Sequence, residues 1–269
     1  MVSRRQFFGL GISLAIGLGI AGAAGPSFAD EKPLRIGLAT SIANDAVRHA
    51  AQLAEQQGLK VQIIEFTDWV TPNSALANGD VDVNYFQHIP FLENAAKANG
   101  WNFTPVAPGY NSVSGIYSEK LKSLDDIKDG STVTIANDPI NTGRALLFLQ
   151  AQGLIKLKDG ADFRATLLDV VENPKNLKFV QVEAQQVVRS LPDVDFVVSG
   201  PSFIKLAGKD PDSALVFEKP DNVYAMQWVT RAEDAKDPRL AKFIQVYEND
   251  PEVKPLLTKL YNGHVTFAW

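Results

Sequence analysis

Leu34-Arg35-Ile36-Gly37-Leu38-Ala39, then Asn44-Asp45-Ala46-Val47-Arg48-His49-Ala50-Ala51-Gln52-Leu53-Ala54-Glu55-Gln56-Gln57-Gly58, then Val61-Gln62-Ile63-Ile64-Glu65-Phe66, is the stretch that decides the fold class. A short β-rich run, an alanine-rich helix stopped by glycine and a second β-rich run form a βαβ unit, whose two strands must be parallel. The pattern continues outward. Thr71-Pro72 opens a short helix that Gly79 closes, Val81–Val83 reads as a strand, and Pro90 to Asn99 reads as a helix closed by Gly100. In this reading Asn84 to Phe91 is a strand-end loop.

A second series begins near Ser114–Tyr117. Thr132–Ala136 is expected as a strand, Asn141 as the cap of a helix ending at Gly153, and Lys178–Val182, Asp195–Ser199 and Leu215–Glu218 as further strands. The tail predicts a strand at Val223–Thr230 and helices over Pro238–Glu248 and Pro251–Tyr261, each opened by its proline. Such a tail cannot build its own core, so it is expected to return to the first sheet. The fold class is therefore α/β. Residues 30–114 with 224–269 make lobe 1 and residues 115–223 make lobe 2, each a wound mixed sheet flanked by helices, joined by a two-strand hinge. Facing strand-end loops then enclose one cleft.

Ahead of this lies Arg4-Arg5, an apolar stretch from Phe7 to Ala24, and Ser27-Phe28-Ala29, which together form an export signal over residues 1–29. Ser3-Arg4-Arg5-Gln6-Phe7-Phe8 points to the twin-arginine route and hence to a periplasmic protein. Removing the signal takes away two arginines and no acid, which moves the net charge from −5 to −7. An acidic chain without a basic stripe is a poor partner for nucleic acid or anionic lipid. There is no cysteine, hence no disulfide and no thiolate metal site. No other apolar run is long enough to span a bilayer, so no stable membrane anchor is expected, and a monomer is.

Catalytic signatures are missing: no phosphate loop, serine elbow, paired zinc histidines or calcium loop, and neither a cofactor nor a metal is implied. The residues that stand out look instead like a ligand site. Asn84-Tyr85-Phe86-Gln87-His88-Ile89-Pro90-Phe91 sets aromatics, an amide and an imidazole before a helix, although Phe86 and Phe91 also suit a core and His88 a cap. Trp69 and Asn73 bracket the preceding turn, with Trp69 as a flat apolar wall. In the second series, Asn137-Asp138-Pro139-Ile140-Asn141-Thr142-Gly143-Arg144 leads from a strand into a helix start that favours anions. Arg144 is either a fork for a carboxylate or half of a surface ion pair.

Ala136-Asn137-Asp138-Pro139, Asn141 and Gly143-Arg144-Ala145-Leu146 resemble the NlpA-type, methionine-binding lipoprotein family of ABC-transporter binding proteins. The resemblance extends to Asp68-Trp69-Val70-Thr71-Pro72-Asn73, Val83-Asn84-Tyr85-Phe86-Gln87-His88, Gly153-Leu154-Ile155-Lys156-Leu157, Glu172-Asn173-Pro174-Lys175-Asn176-Leu177 and Arg189-Ser190-Leu191. It implies a two-lobed periplasmic binding-protein fold that closes on an amino acid and serves a permease with its ATPase subunit, without catalysis. Aromatics would hold the side chain and Arg144 the carboxylate, with Trp69, Asn73, Tyr85, Phe86, His88 and Asn141 on the ligand. Gly200, Ser202, Tyr224 and Met226 would shape the opposite side.

The chain also departs from that pattern. It lacks the lipid-attachment cysteine, and it has Ser199-Gly200-Pro201-Ser202-Phe203 and Tyr224-Ala225-Met226 where the family has asparagines for the amino acid's polar end. Altered polar contacts are expected to change the ligand or weaken its binding. The rival readings are a periplasmic enzyme using His88 as base and a sensor-partner protein on the same scaffold.

Overall fold

A computed structural model describes residues 32–269, so the proposed export signal at 1–29 lies outside the described residues. The first βαβ unit is β1 (Leu34–Ala39), α1 (Asn44–Gln56) and β2 (Val61–Phe66), with β1 and β2 parallel and Leu34 paired to Val61. Then come α2 (Thr71–Ala77), β3 (Val83–His88), α3 (Ile89–Asn99) and β4 (Phe103–Pro108). Gly100 closes α3 at φ 69°, a left-handed turn that a Cβ would strain.

The middle of the chain carries β5 (Tyr110–Ser112), β6 (Gly115–Tyr117), β7 (Thr132–Ala136), α4 (Pro139–Ala151), β8 (Lys156–Leu157), β9 (Val170–Glu172), β10 (Lys178–Val182), α5 (Ala184–Val187), β11 (Phe196–Ser199), α6 (Pro201–Leu206) and β12 (Val216–Phe217). The tail adds β13 (Met226–Arg231), α7 (Pro238–Asn249), α8 (Val253–Leu260) and β14 (Val265–Phe267). Two five-stranded mixed sheets result, ordered β2-β1-β3-β13-β4 and β10-β7-β11-β6-β12. The chain passes between them at 109–114 and again at 218–225, and β5 pairs with β14 beside the first crossing.

Each sheet has its own core. Leu34, Ile36 and Leu38 of β1 pack with Ala46 and Ala50 of α1 and with Phe243, Tyr247 and Leu257 from the tail helices, so the tail does cover the first sheet. Val133, Ile135, Leu146, Leu149 and Phe196 fill the second core, and Val187, Leu191 and Ile204 its other face. Gly143 lets α4 press on the chain beyond it, since a Cβ there would lie 2.2 Å from the Phe163 carbonyl oxygen.

Three local expectations need correction. Asn84 to His88 is the body of β3 and not a loop, because its polar side chains satisfy one another: Asn73 Nδ2 donates to Gln87 Oε1 (2.9 Å), Gln87 Nε2 to Asn73 Oδ1 (2.7 Å), and Asn84 Nδ2 to the same oxygen (2.9 Å). The cap of α4 is Asp138, whose carboxylate accepts the Asn141 N–H at 2.9 Å, with Pro139 at the first helical position. The last helix begins at Val253, and Pro251 lies in the turn before it.

Candidate binding cleft between the two sheets

The strand ends of the two sheets face each other across a cleft of about 1060 Å³, counted out to its open mouth. From the first half, β3 delivers Tyr85, Phe86, Gln87 and His88, and the turn before α2 delivers Trp69. Asp68 shapes that turn by accepting the N–H groups of Val70 and Thr71, both at 2.7 Å. From the second half, α4 delivers Asn141 and Arg144, and the β11–α6 junction delivers Ser199, Gly200, Ser202 and Phe203.

Of the eleven candidate residues, nine line the cleft: Trp69, Tyr85, Phe86, His88, Asn141, Arg144, Gly200, Ser202 and Met226. Asn73 does not. It is buried in the amide cluster under β3, and its role is to hold Gln87, which does reach the cleft. Tyr224 stands one layer back, its ring beneath the Arg144 guanidinium at 4.0 Å and 5.2 Å from the His88 ring. Tyr85 is a floor more than a wall, stacked on Trp228 at 3.9 Å and accepting the Tyr110 N–H at 3.1 Å.

Sequence reasoning missed Phe91 and Phe203, which complete an aromatic chamber. Trp69 meets Phe91 edge-on at 6.1 Å and reaches across the cleft to Phe203 at 5.8 Å. It also missed Glu218, the acid that Arg144 actually holds. Arg144 Nη2 lies 2.6 Å from Glu218 Oε2, and its Nε 3.2 and 3.1 Å from the two carboxylate oxygens. Nothing local marks this pair, because the partners are 74 residues apart. Nη2 also donates to the Ser112 carbonyl at 3.1 Å. Both chain crossings therefore meet at this guanidinium, Ser112 from the first and Glu218 and Tyr224 from the second.

His88 joins the halves. Its Nδ1 accepts the Phe91 N–H at 3.3 Å, and its Nε2 lies 3.4 Å from Asn141 Oδ1. Asn141 spends its amide N–H groups on Asp138, so its oxygen receives the His88 proton, and the ring is the neutral tautomer protonated on Nε2. Burial, and then the Arg144 charge, lower the His88 pKa from 6.5 to about 3. Elsewhere at the mouth, Ser202 Oγ accepts the Ile42 N–H at 3.2 Å and lies 3.3 Å from Ser41 Oγ.

At Gly200 the cleft is open: a Cβ would have no neighbour within 4 Å, and the backbone (φ −85°, ψ 151°) suits any residue. Among the described residues there is no group of three metal-ligating side chains, and no helix is long and apolar enough to cross a membrane.

Two wound mixed sheets, two chain crossings and a cleft between strand ends define the two-lobed α/β solute-binding class. Within that class the chain belongs to the NlpA lipoprotein family, whose sequence profile matches residues 34–269. It is similar to the D-methionine-binding lipoprotein MetQ of Salmonella typhi, 40% identical over 256 residues that cover 94% of each chain. MetQ of Escherichia coli strain K12 is 39% identical, with 89% of this chain and 90% of that one covered.

Solved structures agree. The methionine-binding protein MetQ superposes with a TM-score of 0.84 at 38% identity, covering 88% of this chain and 98% of that one. A nutrient-binding protein from Burkholderia cenocepacia bound to methionine gives 0.82 at 38%, covering 88% and 100%. The fold is thus the two-lobed binding-protein fold read from the sequence, and the chain is not an enzyme.

Proposed function

We propose that the chain is the periplasmic solute-binding component of an ABC uptake transporter, exported by the twin-arginine route. It captures a small amino-acid-like solute bearing a carboxylate. Lobe 1 (30–114 with 224–269) and lobe 2 (115–223) close over that solute, and the closed form docks on the permease that the ATPase drives. The observation that carries this reading is the cleft itself, where an aromatic chamber of Trp69, Phe86, Phe91 and Phe203 opens toward one cation, Arg144. An apolar side chain fits the chamber, and the guanidinium nitrogen not engaged by Glu218 or Ser112 is left for the carboxylate. Met226 and the open space at Gly200 distinguish the polar end of this cleft, so the preferred solute is methionine-like in size without being restricted to methionine.

The test is thermal unfolding of the mature chain against D- and L-amino acids, short peptides and organic acids. Solute at a hundred times its dissociation constant adds about 2.7 kcal/mol. For a chain of this size that raises the midpoint by roughly 5 to 10 °C. A flat response across all amino-acid-like members, or chemical turnover of a bound one, would defeat the reading.

A further inference from the structure

Among the described residues lining the cleft, Arg144 is the one formally charged side chain at neutral pH, and protein has already met its charge. Glu218 takes Nε and Nη2, the Ser112 carbonyl shares Nη2, and Tyr224 covers a guanidinium face. The Ser114 N–H in turn donates to Glu218 Oε2 at 3.1 Å. Both side chains are largely withdrawn from water, at 9% and 14% exposure. The other acid nearby, Asp138, is turned to the start of α4 and held by Asn141. The His88 ring is neutral.

A neutralised cation treats guests differently from a bare one. A monoanion approaching Arg144 is attracted by the guanidinium and repelled by the carboxylate beside it, while it loses its own hydration. An α-amino acid zwitterion carries both signs on groups attached to one carbon. Its carboxylate can turn to Arg144 while its own ammonium offsets that charge, so that no net charge is buried beside the ion pair.

We infer that Glu218 is a specificity-determining residue: by pairing with Arg144 in advance it sets the charge of the cleft, so that net-neutral solutes are admitted and monoanionic carboxylates are excluded. Glu218 acts through Arg144 and is a positioning residue for the guest. The inference rests on the reading of the cleft as an amino-acid-like site and names the charge class of its solute.

Calorimetric titration of the mature chain with methionine and with its des-amino analogue, 4-(methylthio)butanoate, tests it. Methionine binds the wild type at least tenfold more tightly. Glu218→Gln leaves Arg144 unbalanced and shrinks that ratio at least tenfold as the anion gains, while Glu218→Asp keeps the wild-type preference. An anion admitted only as the neutral acid also carries a proton in. In the wild type its affinity therefore falls about tenfold from pH 7 to pH 8, whereas that of methionine stays level. This second readout needs no variant and stands if Glu218→Gln fails to fold. Methionine binding with a ratio unmoved by Glu218→Gln, or a des-amino affinity level from pH 7 to 8, overturns the inference alone. Failure of both probes on every form removes the amino-acid reading and the inference with it.

Discussion

Acid should open this cleft, and His88 fixes by how much. The ring lies between halves, with Phe91 on its own side and Asn141, Arg144 and Tyr224 around the rest, and Asp138 behind Asn141. Protonating it would remove the acceptor for the Phe91 N–H and set a second cation beside Arg144. With the halves arranged as in this structure, burial and the Arg144 charge lower its pKa to about 3. Opening returns the ring to water and to an ordinary value near 6.5. The open form therefore binds more protons between those two values, and closure, complete in strength above pH 6.5, weakens as the pH falls toward 3. At pH 5 the open form gains about thirtyfold, or about 2 kcal/mol, and a solute that needs the closed form loses the same factor in affinity. Calorimetric titration of a bound amino acid from pH 7.5 to 5.0 reads this directly. His88→Asn keeps a cap acceptor for α3 without a titrating group, and its affinity should stay level, which separates His88 from Asp138. Wild-type affinity constant to within threefold down to pH 5, or the same decline in His88→Asn, would refute the reasoning.

Trp69→Ala removes the wall that meets both Phe91 and Phe203; affinity should fall about thirtyfold, about 2 kcal/mol, while the unliganded unfolding midpoint moves little. Gly200→Asn places its side chain in open space and offers a cap to α6, so stability should hold or rise by up to about 1 kcal/mol while the ranking of solutes in a thermal-shift panel changes. Gly109→Ala should lower the midpoint by roughly 5 °C or more, because its Cβ would fall 1.8 Å from the Tyr85 hydroxyl and that ring is held against Trp228. Calorimetric unfolding of the unliganded variant checks it.

Short β-rich strands bounded by turn residues were legible, and so were helices punctuated by proline and glycine; β1, β2, β7 and β10 begin and end where expected. β3 was missed except for Val83, because burial of Asn84 and Gln87 is made tolerable by Asn73, a residue from another element that no periodicity reveals. The Asp138-Pro139 signal for the start of α4 was present in the sequence and was overlooked in favour of Asn141. β14 is three residues long and exists through its pairing with β5, which local propensity does not encode. In the site, the aromatics and Arg144 stood out by residue type. Glu218 did not, since an acid at the end of the strand expected over Leu215–Glu218 carries no local sign of a partner 74 residues away until the fold brings α4 against it.

The two parts of the cleft carry different tasks because they lie at different distances from the chain crossings. Arg144 sits where both crossings meet, touching Ser112 from one and Glu218 and Tyr224 from the other, so rotation of one half moves its surroundings least. It selects. Trp69 and Phe203 come from opposite halves, which also meet through Ser202 with Ser41 and Ile42, through Lys205 with the Leu260 carbonyl, and through Asp212 and Phe217 with His264. Hydrogen bonds of this kind contribute about 1 kcal/mol each, too little to hold two bodies shut against water that offers the same bonds. A side chain packed against both Trp69 and Phe203 buries apolar surface in the closed form alone; roughly 100 Å² of it is worth about 2.5 kcal/mol. A guest held by Arg144 but too short to reach the chamber binds open and closed forms alike and shifts nothing. Affinity and closure are therefore separable in this cleft: shortening the guest's apolar tail should cost closure before it costs contact with Arg144.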